Sequence, residues 1–375
     1  MDGAVPFDPR VTMKAEPIRR AMLALVGSGS GSCILLDPRG RVIDTRHMSK
    51  SQSKCPMLFS CLLVALFAVL AADAQAVVIQ WTSVRNAGNS NDPLTGVGAI
   101  NYTYNIGKYD VTNSQYAEFL NAKDPTGVNA LGLYSNGMAN AVLGGINFSS
   151  SNTDGAKYTL IAGDENHPVT YVTWYDTLRF ANWMNNGQGT GNTETGAYTL
   201  FGGTPTPSNG QSVIRNMGAS VFLPTLGEWY KGAYFNPSTH TYFKYATANN
   251  TAPTASVPPG VSNAANYLNA VGHTTDVGAY VSSPSSYGTF DQAGNAFQWT
   301  ESSFDSRTKY ARGGTFNGTT DSGFVSSTQS NIYDPATQKL DVGFRLASIP
   351  EPSTLVLAAF GFTALAAWGW RRRKR

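Results

Sequence analysis

Apolar residues are distributed along this chain with several different spacings. Residues 57–72 and 353–370 are two uncharged runs rich in Leu, Ala and Phe. Between them the apolar positions come in short bursts. Three bursts have helical spacing: Tyr116, Phe119 and Leu120; Leu178, Ala181 and Trp183; Trp229, Ala233 and Tyr234. Each follows a hydroxyl residue with an acceptor three positions on: Thr112 with Gln115, Thr173 with Asp176, and Thr225 with Glu228. That pairing is the capping-box pattern and predicts a helix start at each. Short β-prone runs predict strands at 104–109, 169–172, 198–200, 221–223, 310–312 and 343–346. Long polar stretches separate them, at 124–154, 201–216 and 236–262. The last contains Val257-Pro258-Pro259-Gly260, which cannot continue a helix or a central strand. Only 14% of residues are charged, while Gly, Asn, Ser and Thr abound. This composition suits an α+β domain of short strands and long loops better than a helical bundle.

The two uncharged runs read as addressing signals. Lys50 and Lys54 precede the first, and Ala72-Asp73-Ala74 and Ala74-Gln75-Ala76 follow it. A basic flank, an apolar run and small residues form a secretory signal peptide, assigned to residues 48–76 with cleavage after Ala74 or Ala76. An uncleaved anchor is the alternative. Residues 1–47 precede this signal and read as a misassigned N-terminal extension, since Met48 or Met57 is a better-placed start. At the other end, residues 350–375 comprise Pro350-Glu351-Pro352, the second uncharged run, and Arg371-Arg372-Arg373-Lys374-Arg375. The run is near the lower limit for spanning a bilayer, and its basic end favours the cytoplasmic side, leaving the body outside.

Charge and sulfur then narrow the possibilities. The whole chain carries +3, but residues 77–349 hold 13 Lys and Arg against 17 Asp and Glu, a net −4. A mildly acidic body has no electrostatic footprint for nucleic acid. The three cysteines, Cys33, Cys55 and Cys61, all precede the expected cleavage point. The mature body would therefore have neither disulfide nor thiol. No nucleophile elbow, paired catalytic carboxylates or phosphate-cradling glycine loop is evident.

Six segments in order carry a resemblance. They are Tyr109-Asp110-Val111-Thr112-Asn113-Ser114-Gln115-Tyr116; His167 to Trp174 with Ala181-Asn182-Trp183; Leu223-Pro224-Thr225 with Glu228-Trp229; Gly288 to Trp299; Arg312-Gly313-Gly314; and Gly343-Phe344-Arg345. Over residues 77–349 the chain resembles the formylglycine-generating, or sulfatase-modifying factor, family. The resemblance implies a variant of the C-type lectin fold. Pro-Glu-Pro, the apolar run and the basic terminus resemble a PEP-CTERM sorting signal, which implies a sorting protease of the exosortase type, transient membrane anchoring and a surface location.

The family's enzymes work through a cysteine pair that binds copper. Counted from Arg312, those positions fall on Gly318 and Gly323, and without soft sulfur ligands no copper is expected. The family's histidine-using iron branch finds only His167, His240 and His273 in the body, with no metal-type spacing. The resemblance also implies calcium, held by Asp291, the carbonyls of Gly294 and Ala296, and Gln298. A weaker second site would use Asn266 and the Tyr267 carbonyl. Calcium accepts such oxygen donors readily. Tyr310, Phe316, Asn317, Phe324 and Tyr333 surround the vacated cysteine positions and are candidates to line a ligand groove. Trp174, Trp183, Trp229 and Trp299 are expected as core anchors bonded to loop carbonyls. Arg312 and Arg345 are expected to tie loop carbonyls or a carboxylate such as Glu228. These readings make the protein an exported binding or structural module with exopolysaccharide or surface proteins as partners. The alternative is an oxidoreductase-like member of the family using non-cysteine chemistry.

Overall fold

The computed structural model describes residues 76–350 apart from 319–321, together with a short antiparallel pairing of β1 (Leu35–Leu36) with β2 (Val42–Ile43). The expected leader (apart from Ala76) and the sorting tail (apart from Pro350) lie outside the described residues. The β1–β2 pair belongs to a separate unit, Met1–Ala72. Among the described residues no helix is long and apolar enough to cross a membrane.

All three capping boxes form. Thr112 caps α1 (Asn113–Lys123), Thr173 caps α2 (Trp174–Asn185) and Thr225 caps α3 (Leu226–Tyr234), each with the reciprocal bond from the residue three positions on. The stripes behind them are buried. Tyr116, Phe119 and Phe180 pack as one aromatic cluster with Trp183 and Phe344, with ring centroids 5.3–6.4 Å apart. Such contacts add to the burial energy of the rings themselves.

The strands are short, and two four-stranded sheets organise the body. In chain order they are β3 (Trp81–Val84), β4 (Tyr104–Gly107), β5 (Ile146–Phe148), β6 (Tyr158–Leu160), β7 (Val221–Phe222), β8 (Phe235–Asn236), β9 (Thr241–Tyr242), β10 (Thr254–Ala255), β11 (Ala264–Ala265), β12 (Phe297–Ser303), β13 (Lys309–Arg312), β14 (Asn331–Tyr333), β15 (Val342–Phe344) and β16 (Ala347–Ser348). The first sheet has the order β3-β4-β16-β7, so the last strand of the body lies between two earlier ones. Ile106, Ala347 and Phe222 share one buried row, while Asn105, Ser348 and Val221 share the next row on the outer face. The second sheet has the order β14-β13-β12-β15, with β12 and β15 parallel.

Two strand expectations need correction. Residues 169–172 pair only through a bridge between Pro168 and Thr112, because Tyr171 turns into the left-handed region at φ 59°. Residues 198–200 contribute a single bridge from Tyr198 to Arg215. In both segments single hydrogen bonds to loops replace a ladder: Tyr171 donates to the distant Lys339 carbonyl and Leu200 to the Glu194 carbonyl, six residues back. The tryptophans behave as core anchors. Trp174, Trp183 and Trp299 donate to the carbonyls of Thr300, Gly189 and Val172, and Trp229 to the Gln298 side chain.

Candidate functional site

Four sequence motifs converge on one buried polar hub beneath the second sheet. Gln298, on β12, accepts at Oε1 from Trp229 Nε1 and Arg345 Nε, both at 2.6 Å. Its Nε2 donates to the Asp291 carbonyl at 2.8 Å and to Asp110 at 3.3 Å. Arg345 donates further to Asp110 at 2.8 Å and to the carbonyls of Gly107 and Phe290. The Arg345 and Asp110 side chains are fully buried. Burial pushes the Asp110 carboxyl up to about 8, against the pull of Arg345 and Gln298. A second network pairs Arg215 with Glu228 at 2.8 Å and Glu301 at 2.7 Å. Burial raises the Glu228 carboxyl, but Arg215, Tyr102 and Thr225 outweigh it and leave it below its ordinary value. Glu228 is therefore taken by Arg215 and not by the arginines expected to hold it. Arg312 instead donates to the Ser327 carbonyl and lies over the rings of Tyr230 and Trp229.

The hub decides how well the first calcium set fits. Both lone pairs of Gln298 Oε1 face N–H donors, one of them from a guanidinium, so a cation at this oxygen would meet a fixed positive charge. The Gln298 donor does not fit calcium. Gly294 has φ 92°, and a Cβ there would lie 2.2 Å from the Asn266 carbonyl oxygen, so only glycine suits the turn. Ala296 is buried beside it. The Asp291 carboxylate accepts from Gly278 N at 2.7 Å, and burial raises it to about 6. Asp291 and Asn266 line a common water-sized cavity of about 10 Å³. Asn266 Oδ1 is buried with no hydrogen-bond partner. Asn266 Nδ2 donates to the His273 carbonyl, and the Tyr267 carbonyl accepts from Ala270 N.

The residues proposed for a groove do not converge. Phe324 and Tyr333 pack against Phe297 at 5.4 and 6.3 Å, Tyr333 also meets Trp299, and Phe316 is buried. Tyr310 stands opposite Ile332 on the other face of β13 from Lys309 and Tyr333, and its ring contacts Phe304. Asn317 accepts from Thr315 Oγ1. At the vacated cysteine positions, a Cβ on Gly318 would lie 2.1 Å from the Phe324 ring, so Phe324 fills the space a side chain at 318 would need. Gly323 directly precedes that ring.

Two features were invisible in the sequence. His167 and His273 stack with ring centroids 5.8 Å apart, and His167 lies 3.5 Å from Asp164 and 3.7 Å from Asp276. Burial lowers the His167 pKa. Among the described residues no group of three or more His, Cys, Asp or Glu side chains is placed to hold a metal ion. Beside this cluster opens a cleft of about 470 Å³, whose lining includes Tyr109, Ser114, Gln115, Asn166, Asp276 and the buried Asp110. Its walls come from residues 78–80, 109–115, 166 and 276–277, too far apart in the chain for any spacing to reveal. The one partial signal was the segment from Tyr109 to Tyr116, which supplies one wall.

Three capped helices, two small sheets and a polar hub built from the motifs define an α+β domain of the formylglycine-generating-enzyme type, the lectin-like variant expected. The chain belongs to the family described as sulfatase-modifying factor enzyme 1-like domain, whose profile matches residues 74–349. A second profile, the PEP-CTERM protein-sorting motif, matches residues 348–374 and marks an exported protein handled by exosortase-type sorting machinery. No curated protein matches the chain. Among solved structures, CarF is 21% identical, covering 73% of this chain and 99% of its own, with a TM-score of 0.46. Treponema denticola variable protein 1 is 17% identical over 74% of this chain and 98% of its own, also at 0.46. PvdO from Pseudomonas aeruginosa is 14% identical over 73% of this chain and 93% of its own, at 0.38.

Proposed function

We propose that this protein is a non-catalytic binding module held at the cell surface, and that its ligand is a hydroxyl-rich segment of exopolysaccharide taken up in the polar cleft. The observation that carries the first half is the Phe324 ring, packed into the space of the family's first cysteine position, where this chain has Gly318. No cysteine follows Cys61, so the body offers no thiolate pair to bind copper. The cleft supports the second half. Hydroxyl, amide and carboxylate groups of Ser114, Gln115, Asn166 and Asp276 line it, and such donors and acceptors match the hydroxyls of a sugar chain.

Calcium belongs to this proposal only at the cavity shared by Asn266 and Asp291, where an orphan amide oxygen and a carboxylate come together. An ion there would brace the loops around Asn266 and Gly278.

Titration of the detergent-solubilised full chain with purified exopolysaccharide fragments tests the binding function. Asn166→Ala and Asp276→Ala should each weaken binding roughly tenfold, the worth of one good hydrogen bond. Unchanged affinity in both variants would remove the cleft from the account.

A further inference from the structure

The place where the chain leaves its folded body determines which surface faces the membrane. Ser348, the last residue of β16, is held between Asn105 of β4 and Val221 of β7. Ile349 N then donates to the Ser220 carbonyl at 3.1 Å. The chain is thus fixed to the sheet up to Ile349, and the uncharged run begins at Ser353. Four residues of fully extended chain reach at most about 14 Å. A bilayer headgroup region is itself about 5–8 Å deep on each side. With the tail in a membrane, this end of the sheet is held within roughly 6–9 Å of the lipid surface.

The side chains at this end suit that position. Exposed apolar residues gather around the exit: Ile349 is 42% exposed, Met217 103%, Ile214 75% and Tyr102 41%. They belong together, since Ile349 is bonded to Ser220 and both Tyr102 and Arg215 reach Glu228 Oε1. Segments 99–105, 213–222 and 346–349 contain one charged residue, Arg215, and it is neutralised by Glu228 and Glu301. Arg85, exposed just after β3 at the same end, supplies a cation toward phosphate headgroups. Between the strands runs a charge-free groove of about 200 Å³ on the outer sheet face, lined by Trp81, Asn105, Ser220, Val221, Ser348 and Ile349.

We infer that the anchored protein rests with the Ile349–Met217–Tyr102 end of its first sheet in the phospholipid headgroup layer, which turns the polar cleft away from the membrane. The cleft lies off the opposite end of the same sheet. Val78 to Gln80 precede β3, and Tyr109 to Gln115 follow β4, whereas the exit lies beside Tyr104 and Val84. Tail and cleft occupy opposite poles, so anchoring leaves the cleft open to extracellular polymer. This inference rests on the membrane-anchored reading of the tail.

The test uses the mature chain, residues 77–375, which carries no cysteine and only the C-terminal apolar run, so that one introduced thiol is unique. Met217→Cys at the exit and Val78→Cys at the cleft each carry a fluorophore. Both are placed in phosphatidylethanolamine–phosphatidylglycerol vesicles containing a headgroup nitroxide quencher. The label at 217 should be quenched several-fold more strongly than the label at 78. Flotation with the vesicles but equal quenching, or stronger quenching at 78, overturns the orientation alone. Failure to float with the vesicles overturns the anchored reading and the orientation together.

Discussion

Gln298 shows how a single side chain can hold several motifs in register. Its amide joins Trp229, Arg345, Asp110 and the Asp291 carbonyl. The sequence marked Arg345 as a structural tie for loop carbonyls or a carboxylate, which it is, but offered Glu228 where the partner is Asp110, 235 residues away in the chain. Arg345→Met should leave the buried Asp110 carboxyl without its guanidinium partner and with only the Gln298 amide as donor, costing about 3–5 kcal/mol, read as a lowered urea midpoint. Lys309 offers a pH test. Its Nζ lies 3.8 Å from the centre of the Trp174 ring and bonds Ser303, and burial lowers its pKa to about 8. Between about pH 8 and the ordinary lysine value near 10.4 the unfolded chain binds the proton that the folded chain has lost. The native protein should therefore gain stability relative to Lys309→Met as pH rises through that window. A flat difference between the two melting curves would contradict the placement of this lysine.

Among the elements, the helices were the most legible, because a capping box and the apolar stripe behind it are local. Thr225→Ala removes the hydroxyl that accepts from Glu228 N and should cost about 1 kcal/mol in thermal or chemical unfolding. The short strands were less legible. Two-residue strands such as β7, β10 and β16 exist because tertiary neighbours pair with them, and no periodicity develops over so few positions. Tyr171 illustrates the other failure: a β-prone run is broken by one left-handed residue whose N–H reaches the Lys339 carbonyl. The Asn266–Asp291 cavity is likewise a meeting of loops. If it takes calcium, adding the ion should raise the melting temperature and chelation should reverse it, with Asp291→Asn abolishing the difference.

For the whole molecule, family and architecture were readable from ordered motifs, whereas the cleft was not, since its walls meet only after folding. The missing cysteines were readable too, but Phe324 was assigned to a groove when it instead packs over Gly318. That packing distinguishes simple loss of two ligands from a pocket rebuilt around an aromatic ring. The central claim is that the family scaffold persists here without the family's oxidase chemistry. Mass spectrometry of a cysteine-bearing sulfatase peptide, incubated with the purified full chain, copper and oxygen, tests it directly. The account predicts that the peptide cysteine remains intact, and conversion of that cysteine to formylglycine would contradict it.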